Sequence, residues 1–349
     1  MAMIVIRADA SAMVGTGHVM RCLAVAEALQ DEGHTVFFAL AESTDAVDAR
    51  LDAEGFRRTR LPGPAGGPAD LRALHALIGA EGAHAVVLDG YHFDEGYRAG
   101  LKAAGCRVLA WDDLADRSML HADLVVNSAP QAGRLPYERI APGARLLLGP
   151  SYAALRREIR HAAAMPRRPL TERRGLLLTL GGADPLGLTG PCIERLAPAL
   201  PEGVRLIAVV GGSNPRANAL AEVARRFGNR IEVHVDAPNM GMLMVESGLA
   251  VSAGGGTTAE LAALAVPTLL VVVADNQVPA ATEAAGLGWC AVLDAREGDH
   301  AALIAGLALA LWADAKRRHG MAQRAAGLID GYGAVRIARA LSEGLQPGS

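Results

Sequence analysis

The side chain whose type and position most clearly suggest a chemical role lies near the start of the chain. Residues 7–23 read RADASAMVGTGHVMRCL, in which small residues and glycines lead from an apolar run to His18 at the expected start of a helix. Nucleotide-binding α/β folds begin with such a strand, glycine turn and helix. The positive end of the helix dipole disfavours an imidazolium, so His18 could serve as a neutral base near pH 7. A phosphate donor or a buried, hydrogen-bonded histidine is the alternative.

Polar side chains also follow two other apolar runs in the first half. The segment LDGYHF places Asp89 and Tyr91 after one run, and WDDLAD places Asp112 and Asp113 after another, with His121 farther on. Carboxylates beside a histidine could bind a metal, but no compact ligand spacing is present, so we expect no metal. Turn and capping roles remain open for Asp112 and Asp113.

Glycine-rich turns follow apolar runs in the second half of the chain. They contain Gly181 with Gly182, Gly211 with Gly212, and Gly254 to Gly256. The last turn leads into a helix expected to begin near Thr257, where free N–H groups and the helix dipole favour a phosphate or diphosphate. Glu260, about one turn into that helix, could accept hydrogen bonds from ribose hydroxyls or simply complement the dipole.

The usual nucleotide signatures are absent, since neither GxxxxGK[ST] nor GxGxxG occurs in these turns. An ATPase or a dinucleotide oxidoreductase is therefore disfavoured. Downstream, VPTLLVVVADNQ ends a buried run with Asp275, Asn276 and Gln277. These side chains could line a ligand site, or form an Asx turn that caps the next helix.

Composition narrows the class of protein. The chain has 349 residues, a formal net charge of -3 and 4% aromatic residues. Its arginines are scattered apart from a cluster between Arg156 and Arg174, so a nucleic-acid partner is not expected. The longest apolar run, Leu261 to Ala274, is interrupted by Pro267 and is shorter than a bilayer span, so we expect no membrane partner.

Cysteine usage and the N-terminus indicate a cellular compartment. The four cysteines are far apart and show no zinc spacing, which is typical of small buried residues in a reducing environment. No secretory signal pattern is present at the N-terminus. We therefore expect a cytoplasmic protein.

Apolar runs alternate with helix-period segments along the chain, which predicts parallel sheets covered by helices on both faces. The predicted strands are Met3 to Ile6, Thr35 to Leu40, Ala85 to Leu88, Arg107 to Trp111, Leu124 to Val126, Arg145 to Leu148, Gly175 to Leu180, Val204 to Val210, Ile231 to Val235, Leu249 to Ser252 and Thr268 to Val273. The pattern restarts after the proline-rich, charged segment MPRRPLTERR, which reads as a connection between domains.

The predicted fold class is therefore α/β, with two doubly wound Rossmann-like domains facing a cleft where ligands bind. The predicted limits are 1–160 for the first domain, 161–174 for the linker and 175–330 for the second domain. Residues 331–349 would form a C-terminal helix that crosses back to the first domain.

Taken together, the motifs resemble a known family. RADASAMVGTGHVMRCL, LDGYHF, WDDLAD, LVVNSAP, LGPSYAALRREI, LTLGGADP, VVGGSNP and SAGGGTTAELAALAVPTLLVVVADNQ occur in this order between Ile6 and about Gln277. They look like the PseG proteins of pseudaminic acid biosynthesis, the UDP-2,4-diacetamido-2,4,6-trideoxy-β-L-altropyranose hydrolases. The resemblance implies a glycosyltransferase-B-like fold in which the C-terminal domain binds UDP.

The resemblance also implies roles for particular residues. His18 matches the catalytic histidine and Glu260 matches a ribose ligand. Tyr91 and Asn276 match polar residues that line the sugar site, and we expect them to be catalytic residues together with His18. Together with the residues singled out above, the predicted substrate contacts are Asp9, Gly15, Gly17, Arg21, Gly181, Gly182, Gly255, Gly256, Thr257, Thr258, Glu260 and Gln277.

The implied reaction is attack of water on the anomeric carbon, with His18 as general base and inversion at that carbon. UDP leaves as a stabilised anion, so no acid carboxylate, cofactor or metal is needed. A glycosyltransferase of the same fold and a non-catalytic UDP-sugar-binding protein are the alternatives. The expected partners are the UDP-sugar and water, and we expect a monomer.

Overall fold

The computed structural model describes residues 1–11, 14–116, 119–212 and 214–345. The chain divides into two compact units. The first comprises Met1–Arg157 together with the chain from Gly331 onward, and the second comprises Glu158–Asp330. Residues 161–174, which the sequence suggests as a linker, count within the second unit. Just ahead of them, Glu158 accepts a hydrogen bond at 3.3 Å from the Gly241 backbone N–H of that unit.

The first unit is built on a seven-stranded sheet in which every strand pair is parallel. Its strands are β1 (Met3–Ala8), β2 (Thr35–Leu40), β3 (Arg57–Arg60), β4 (Ala85–Asp89), β5 (Arg107–Trp111), β6 (Leu124–Asn127) and β7 (Arg145–Leu148). The spatial order β3-β2-β1-β4-β5-β6-β7 reverses direction between β1 and β4. Ligands of open α/β sheets bind beyond the carboxyl ends of the strands at such a point.

Helices cover this sheet and complete its core. The helices assigned to this unit are α1 (Gly17–Asp31), α2 (Asp45–Ala53), α3 (Pro68–Glu81), α4 (Glu95–Lys102), α5 (Tyr137–Ile140) and α14 (Gly333–Ser342). Apolar residues of α1 and α14 share one core cluster with β1 and β2. Gly333 is required at the start of α14, because a Cβ there would lie 2.1 Å from the carbonyl oxygen of Ala153.

The second unit repeats the plan with a six-stranded parallel sheet. Its strands are β8 (Gly175–Thr179), β9 (Arg205–Val210), β10 (Ile231–Val235), β11 (Ser247–Ala253), β12 (Thr268–Val272) and β13 (Cys290–Asp294). Its order, β10-β9-β8-β11-β12-β13, reverses between β8 and β11. The remaining helices are α6 (Arg157–Ala164), which begins at the unit boundary, α7 (Thr189–Leu196), α8 (Ala217–Arg225), α9 (Met240–Val245), α10 (Thr257–Ala263), α11 (Val278–Gly286), α12 (Ala301–Ala313) and α13 (Ala315–Ala325).

These topologies confirm the predicted fold class of two doubly wound, Rossmann-like α/β domains. Two strands absent from the sequence prediction, β3 and β13, lie at sheet edges. The first reads RRTR and none of its residues is buried, so it carries no apolar signal. Edge strands need little burial, because a neighbour covers them on one side only.

Two further expectations can be compared with the described residues. All four cysteines are buried free thiols, as expected. Within the described ranges, no helix combines the length and the apolar character that crossing a bilayer requires.

Candidate active site

His18 lies in the first turn of α1, just beyond the carboxyl end of β1, and is 8% exposed. Its Nδ1 atom is 2.7 Å from Oδ1 of Asp89, the last residue of β4. β1 and β4 are the neighbours between which the strand order reverses. The strand order therefore brings a histidine and a carboxylate 71 positions apart in sequence into direct contact.

Asp89 fixes the orientation of the imidazole. Its side chain is 1% exposed, and burial works against the ionised form, but Arg21 and then His18 outweigh burial and hold the pKa of Asp89 below its usual range. An ionised carboxylate only accepts hydrogen bonds, so the proton of a neutral His18 belongs on Nδ1. The lone pair of Nε2 is then available as a base. The helix dipole is not the sole electrostatic influence on His18, because the ionised Asp89 carboxylate lies 2.7 Å from its ring.

Arg21, one turn along α1, bridges Asp89 to Asp113. Its Nε donates to Asp89 Oδ2 at 2.6 Å and its Nη2 to Asp89 Oδ1 at 2.7 Å. Its Nη1 donates to Asp113 Oδ1 at 2.8 Å. Burial disfavours the charged guanidinium, but Asp113 and Asp89 outweigh burial and raise the pKa of Arg21. The guanidinium also lies over the Trp111 ring, 4.5 Å from its centroid.

Tyr91 completes this group. Its hydroxyl donates to Asp113 Oδ2 at 2.6 Å, and its ring meets the His18 ring edge-on, with the centroids 4.8 Å apart. Burial opposes ionisation of Asp113, yet Arg21 outweighs burial and lowers the pKa of that carboxyl. We call His18, Arg21, Asp89, Tyr91 and Asp113 the His18 cluster.

The neighbouring residues Asp112 and Asp113 have different hydrogen-bond partners in the structure. Asp112 has a turn role: its Oδ2 accepts hydrogen bonds from the Ala115 N–H at 2.7 Å and the Tyr137 hydroxyl at 2.8 Å. Asp113 instead belongs to the His18 cluster. His121 lies 3.6 Å from Glu95. In the described part of the chain, no three His, Cys, Asp or Glu side chains come together as metal ligands.

The other predicted residues of the first unit lie around the turn that precedes α1. Asp9 is 2% exposed, and its Oδ1 accepts hydrogen bonds from the backbone N–H groups of residues 41 and 42. Its Oδ2 lies 2.7 Å from Nη1 of buried Arg7 and 2.9 Å from Nε2 of His92. Gly15 has a φ of +77°, which favours glycine, and Gly17 is the first residue of α1.

In the second unit, glycine turns border the strand-order reversal. Gly181 and Gly182 follow β8, and the Gly211 N–H donates to the Gly182 carbonyl at 2.9 Å. A Cβ at Gly211 would lie 2.9 Å from the Gly182 Cα, so these two backbones meet directly. The exposed Gly255 and Gly256 follow β11 and lead into α10.

The remaining predicted contacts lie on α10 and after β12. Thr257 is the first residue of α10, as expected, Thr258 is the next, and Glu260 is 9% exposed. Asn276 is exposed in a 3-10 turn after β12. Gln277 in the same turn accepts the Val273 N–H at 2.9 Å and packs against Gly254. The structure thus brings the predicted residues together in two sets, one in each unit.

The sequence places Asp89 and Asp113 directly after apolar runs but does not connect them to His18 or Arg21. Residues 68 to 92 positions apart in sequence form these contacts, so no local spacing reveals them. The available signal was a polar residue directly after a buried strand.

Comparison with known proteins gives two relatives, and no family model matches the chain. The chain is 25% identical over 290 residues to the UDP-2,4-diacetamido-2,4,6-trideoxy-β-L-altropyranose hydrolase of Campylobacter jejuni, covering 82% of this chain and 97% of that protein. It is 23% identical over 274 residues to an uncharacterized protein of Methanocaldococcus jannaschii, covering 77% of this chain. The match spans 55% of that second relative, about half its length.

Solved structures of similar fold cover nearly the whole chain. MurG of Acinetobacter baumannii is 16% identical with a TM-score of 0.65, covering 98% of this chain and 100% of that one. MnaA of S. aureus, solved with UDP, is 14% identical with a TM-score of 0.68, covering 98% and 96%. The spinosyn rhamnosyltransferase SpnG, complexed with thymidine diphosphate, is 17% identical with a TM-score of 0.65, covering 99% and 100%. The chain therefore has the glycosyltransferase-B fold.

Proposed function

We propose that this chain is a hydrolase that releases UDP from UDP-2,4-diacetamido-2,4,6-trideoxy-β-L-altropyranose by attack of water on the anomeric carbon. The observation that carries the proposal is the 2.7 Å contact between His18 Nδ1 and the buried Asp89, because it leaves Nε2 as a base at the ligand end of the sheet. The Campylobacter jejuni hydrolase, matched over 97% of its length, supports this substrate.

In the proposed reaction, His18 Nε2 removes a proton from water as the water oxygen forms a bond to C1 of the sugar. The bond from C1 to the phosphate oxygen breaks, and UDP leaves with the electron pair. Direct displacement inverts the configuration at C1. The Asp89 carboxylate stabilises the imidazolium that forms, as a buried carboxylate does for a catalytic histidine.

The second unit supplies the proposed nucleotide site. The loop Gly254 to Thr258 would hold the diphosphate through backbone N–H groups, and Glu260 would accept hydrogen bonds from the ribose. Two features support this assignment: exposed glycines at the strand-order reversal and a largely buried carboxylate close behind them. Asn276 and Tyr91 are proposed as sugar contacts.

The test is hydrolysis of this UDP-sugar in ¹⁸O water, with mass spectrometry of both products. Attack at carbon puts the label in the free sugar, with unlabelled UDP. Label in the UDP would mean attack at phosphorus and would refute the mechanism. A parallel reaction with a chelator tests the expectation that no metal is needed, because the rate should not change.

A glycosyltransferase is the second candidate, because the rhamnosyltransferase SpnG shares the fold. A transferase would hand the sugar to an acceptor hydroxyl, so UDP release would depend on added acceptor. Release of UDP at a steady rate in buffer alone favours the hydrolase. A non-catalytic binding protein would bind the UDP-sugar and form no product.

A further inference from the structure

We infer that Arg21 is a positioning residue that controls the charge of His18 through Asp89 and Asp113, and that it does not contact the substrate. The inference rests on the proposed role of His18 as a base. It replaces the expectation from sequence, in which Arg21 binds substrate.

The hydrogen bonds of Arg21 within the protein leave few guanidinium donors for a ligand. Nε and Nη2 form a bidentate pair with Asp89 at 2.6 and 2.7 Å. Nη1 donates to Asp113 at 2.8 and 3.1 Å, and Nη2 reaches the same carboxylate at 3.1 Å. The Trp111 ring covers one face of the guanidinium, and 23% of the side chain is exposed. A phosphate group could bind this guanidinium only by displacing one of the two carboxylates.

Arg21 is also close enough to act on the imidazole electrostatically. Its Nη2 is 3.3 Å from His18 Nδ1. With a neutral imidazole, Arg21, Asp89 and Asp113 sum to a charge of about -1, since carboxylates and guanidinium are ionised near pH 7. Without Arg21, the two carboxylates would act unopposed and would favour the protonated ring, which cannot act as a base.

Asp113 has the opposite electrostatic effect. Its carboxylate accepts hydrogen bonds from Arg21 Nη1 and Nη2 and from the Tyr91 hydroxyl. Removing that negative charge would let Arg21 act more strongly on His18 and would favour the neutral ring. The two partners of one ion pair therefore shift the titration of His18 in opposite directions, which a purely structural role would not do.

Two further side chains that contact His18 or Asp89 are uncharged. Tyr91 presents its ring edge-on to His18. The Cys22 thiol lies 3.6 Å from Asp89 Oδ2, and burial and then Asp89 raise the pKa of this thiol, so it stays neutral. Asp89 and Arg21 lie within 3.3 Å of His18 Nδ1, and Asp113 is linked to it through Arg21.

The experiment compares Arg21→Gln, Asp113→Asn and the double variant in the full chain. Two readouts are recorded: the acidic limb of the kcat/KM profile against pH, and the NMR titration of the His18 ring in ¹³C-histidine-labelled protein without ligand. We expect Arg21→Gln to move both to higher pH by about one to two units, and Asp113→Asn to move both to lower pH by about half to one unit. The double variant restores the charge sum and should return both toward wild type.

Controls separate this effect from misfolding. Arg60→Gln removes an exposed arginine that pairs with Asp48 at 3.1 Å, and it should leave both readouts unchanged. If Arg21→Gln does not fold, the double variant, which keeps the charge sum at about -1, and Arg21→Lys still test the inference. Lysine keeps the charge but cannot span both carboxylates, so a smaller shift in the same direction is expected.

Two outcomes would overturn the inference. One is weaker UDP binding and a higher KM in Arg21→Gln with both titrations unmoved, which would make Arg21 a substrate contact. The other is a shift of both variants in the same direction. A protein that hydrolyses no UDP-sugar but shows the opposed NMR shifts would refute the proposed function and leave the inference intact.

Discussion

The two sheets share the same order over six strands but differ at the carboxyl ends of those strands. At the reversal in the first unit, charged side chains form a largely buried hydrogen-bond network around His18. At the reversal in the second unit, glycines dominate, and the loops at Gly182 and Gly211 meet backbone to backbone. The first edge carries a histidine and ionised side chains, whereas the second carries glycines.

In the proposed function, this difference divides two tasks between the two units. A proton acceptor needs a fixed orientation and a controlled charge, which require neighbouring ionised side chains. A diphosphate is already charged and is recognised by N–H groups that glycines leave accessible. If the proposed function is correct, damage to the first edge lowers turnover and damage to the second lowers nucleotide affinity.

The largest expected effect is on turnover. His18→Gln removes the base and should lower kcat by roughly 10² to 10⁴. Because the nucleotide is assigned to the second unit, the Kd for UDP measured by calorimetry should stay near the wild-type value. Wild-type turnover in this variant would end the assignment of His18 as the base.

The next largest effect is on the free energy of unfolding, through a buried ion pair of the first unit. Asp70 holds the fully buried Arg7 at 2.5 and 3.0 Å. Asp70→Ala leaves Arg7 with Asp9 as its remaining carboxylate, and we expect a loss of about 3 kcal/mol in the free energy of unfolding. Tyr97→Phe is the matched control.

The Tyr97 hydroxyl donates to Asp70 at 2.9 Å, so its removal should cost about 1 kcal/mol. Denaturant unfolding measures both values. Equal losses in the two variants would mean that the charge of Asp70 adds nothing beyond one hydrogen bond.

Glu260 tests the second edge. Glu260→Ala should weaken UDP binding by about 1 to 3 kcal/mol, because ribose hydroxyls would lose their acceptor. Turnover at saturating UDP-sugar should change much less than in His18→Gln. Unchanged UDP affinity, measured by calorimetry, would remove Glu260 from the ribose site.

The smallest expected effects come from alanine substitutions at two glycines of the second unit, which should differ in stability and in UDP affinity. Gly211→Ala places a Cβ 2.9 Å from the Gly182 backbone, so it should reduce the free energy of unfolding by about 1 to 3 kcal/mol. Gly255→Ala meets no atom within 4 Å and should leave stability nearly unchanged. It should nevertheless weaken UDP binding if the diphosphate packs against that loop. Full UDP affinity in folded Gly255→Ala would argue against the loop assignment.

Local pattern anticipated some features of this site and missed others. The start of α1 at Gly17 and of α10 at Thr257 could be expected, because an apolar run, a glycine turn and a helical period are adjacent in the chain. The different roles of Asp112 and Asp113 could not, since both follow the same strand. Only the packed structure shows that Asp112 binds a local turn and Asp113 binds Arg21.

The sequence by itself determined the alternation of buried strands and helices, and with it the two doubly wound units, because burial leaves a periodic signal along the chain. It also pointed to His18 as a candidate catalytic residue. The tertiary structure alone decided which carboxylate holds the imidazole and where the donors of Arg21 go. Those contacts depend on strand order, which brings Asp89 and Asp113 to α1 from distant positions, and a spatial order of strands leaves no local trace in the sequence.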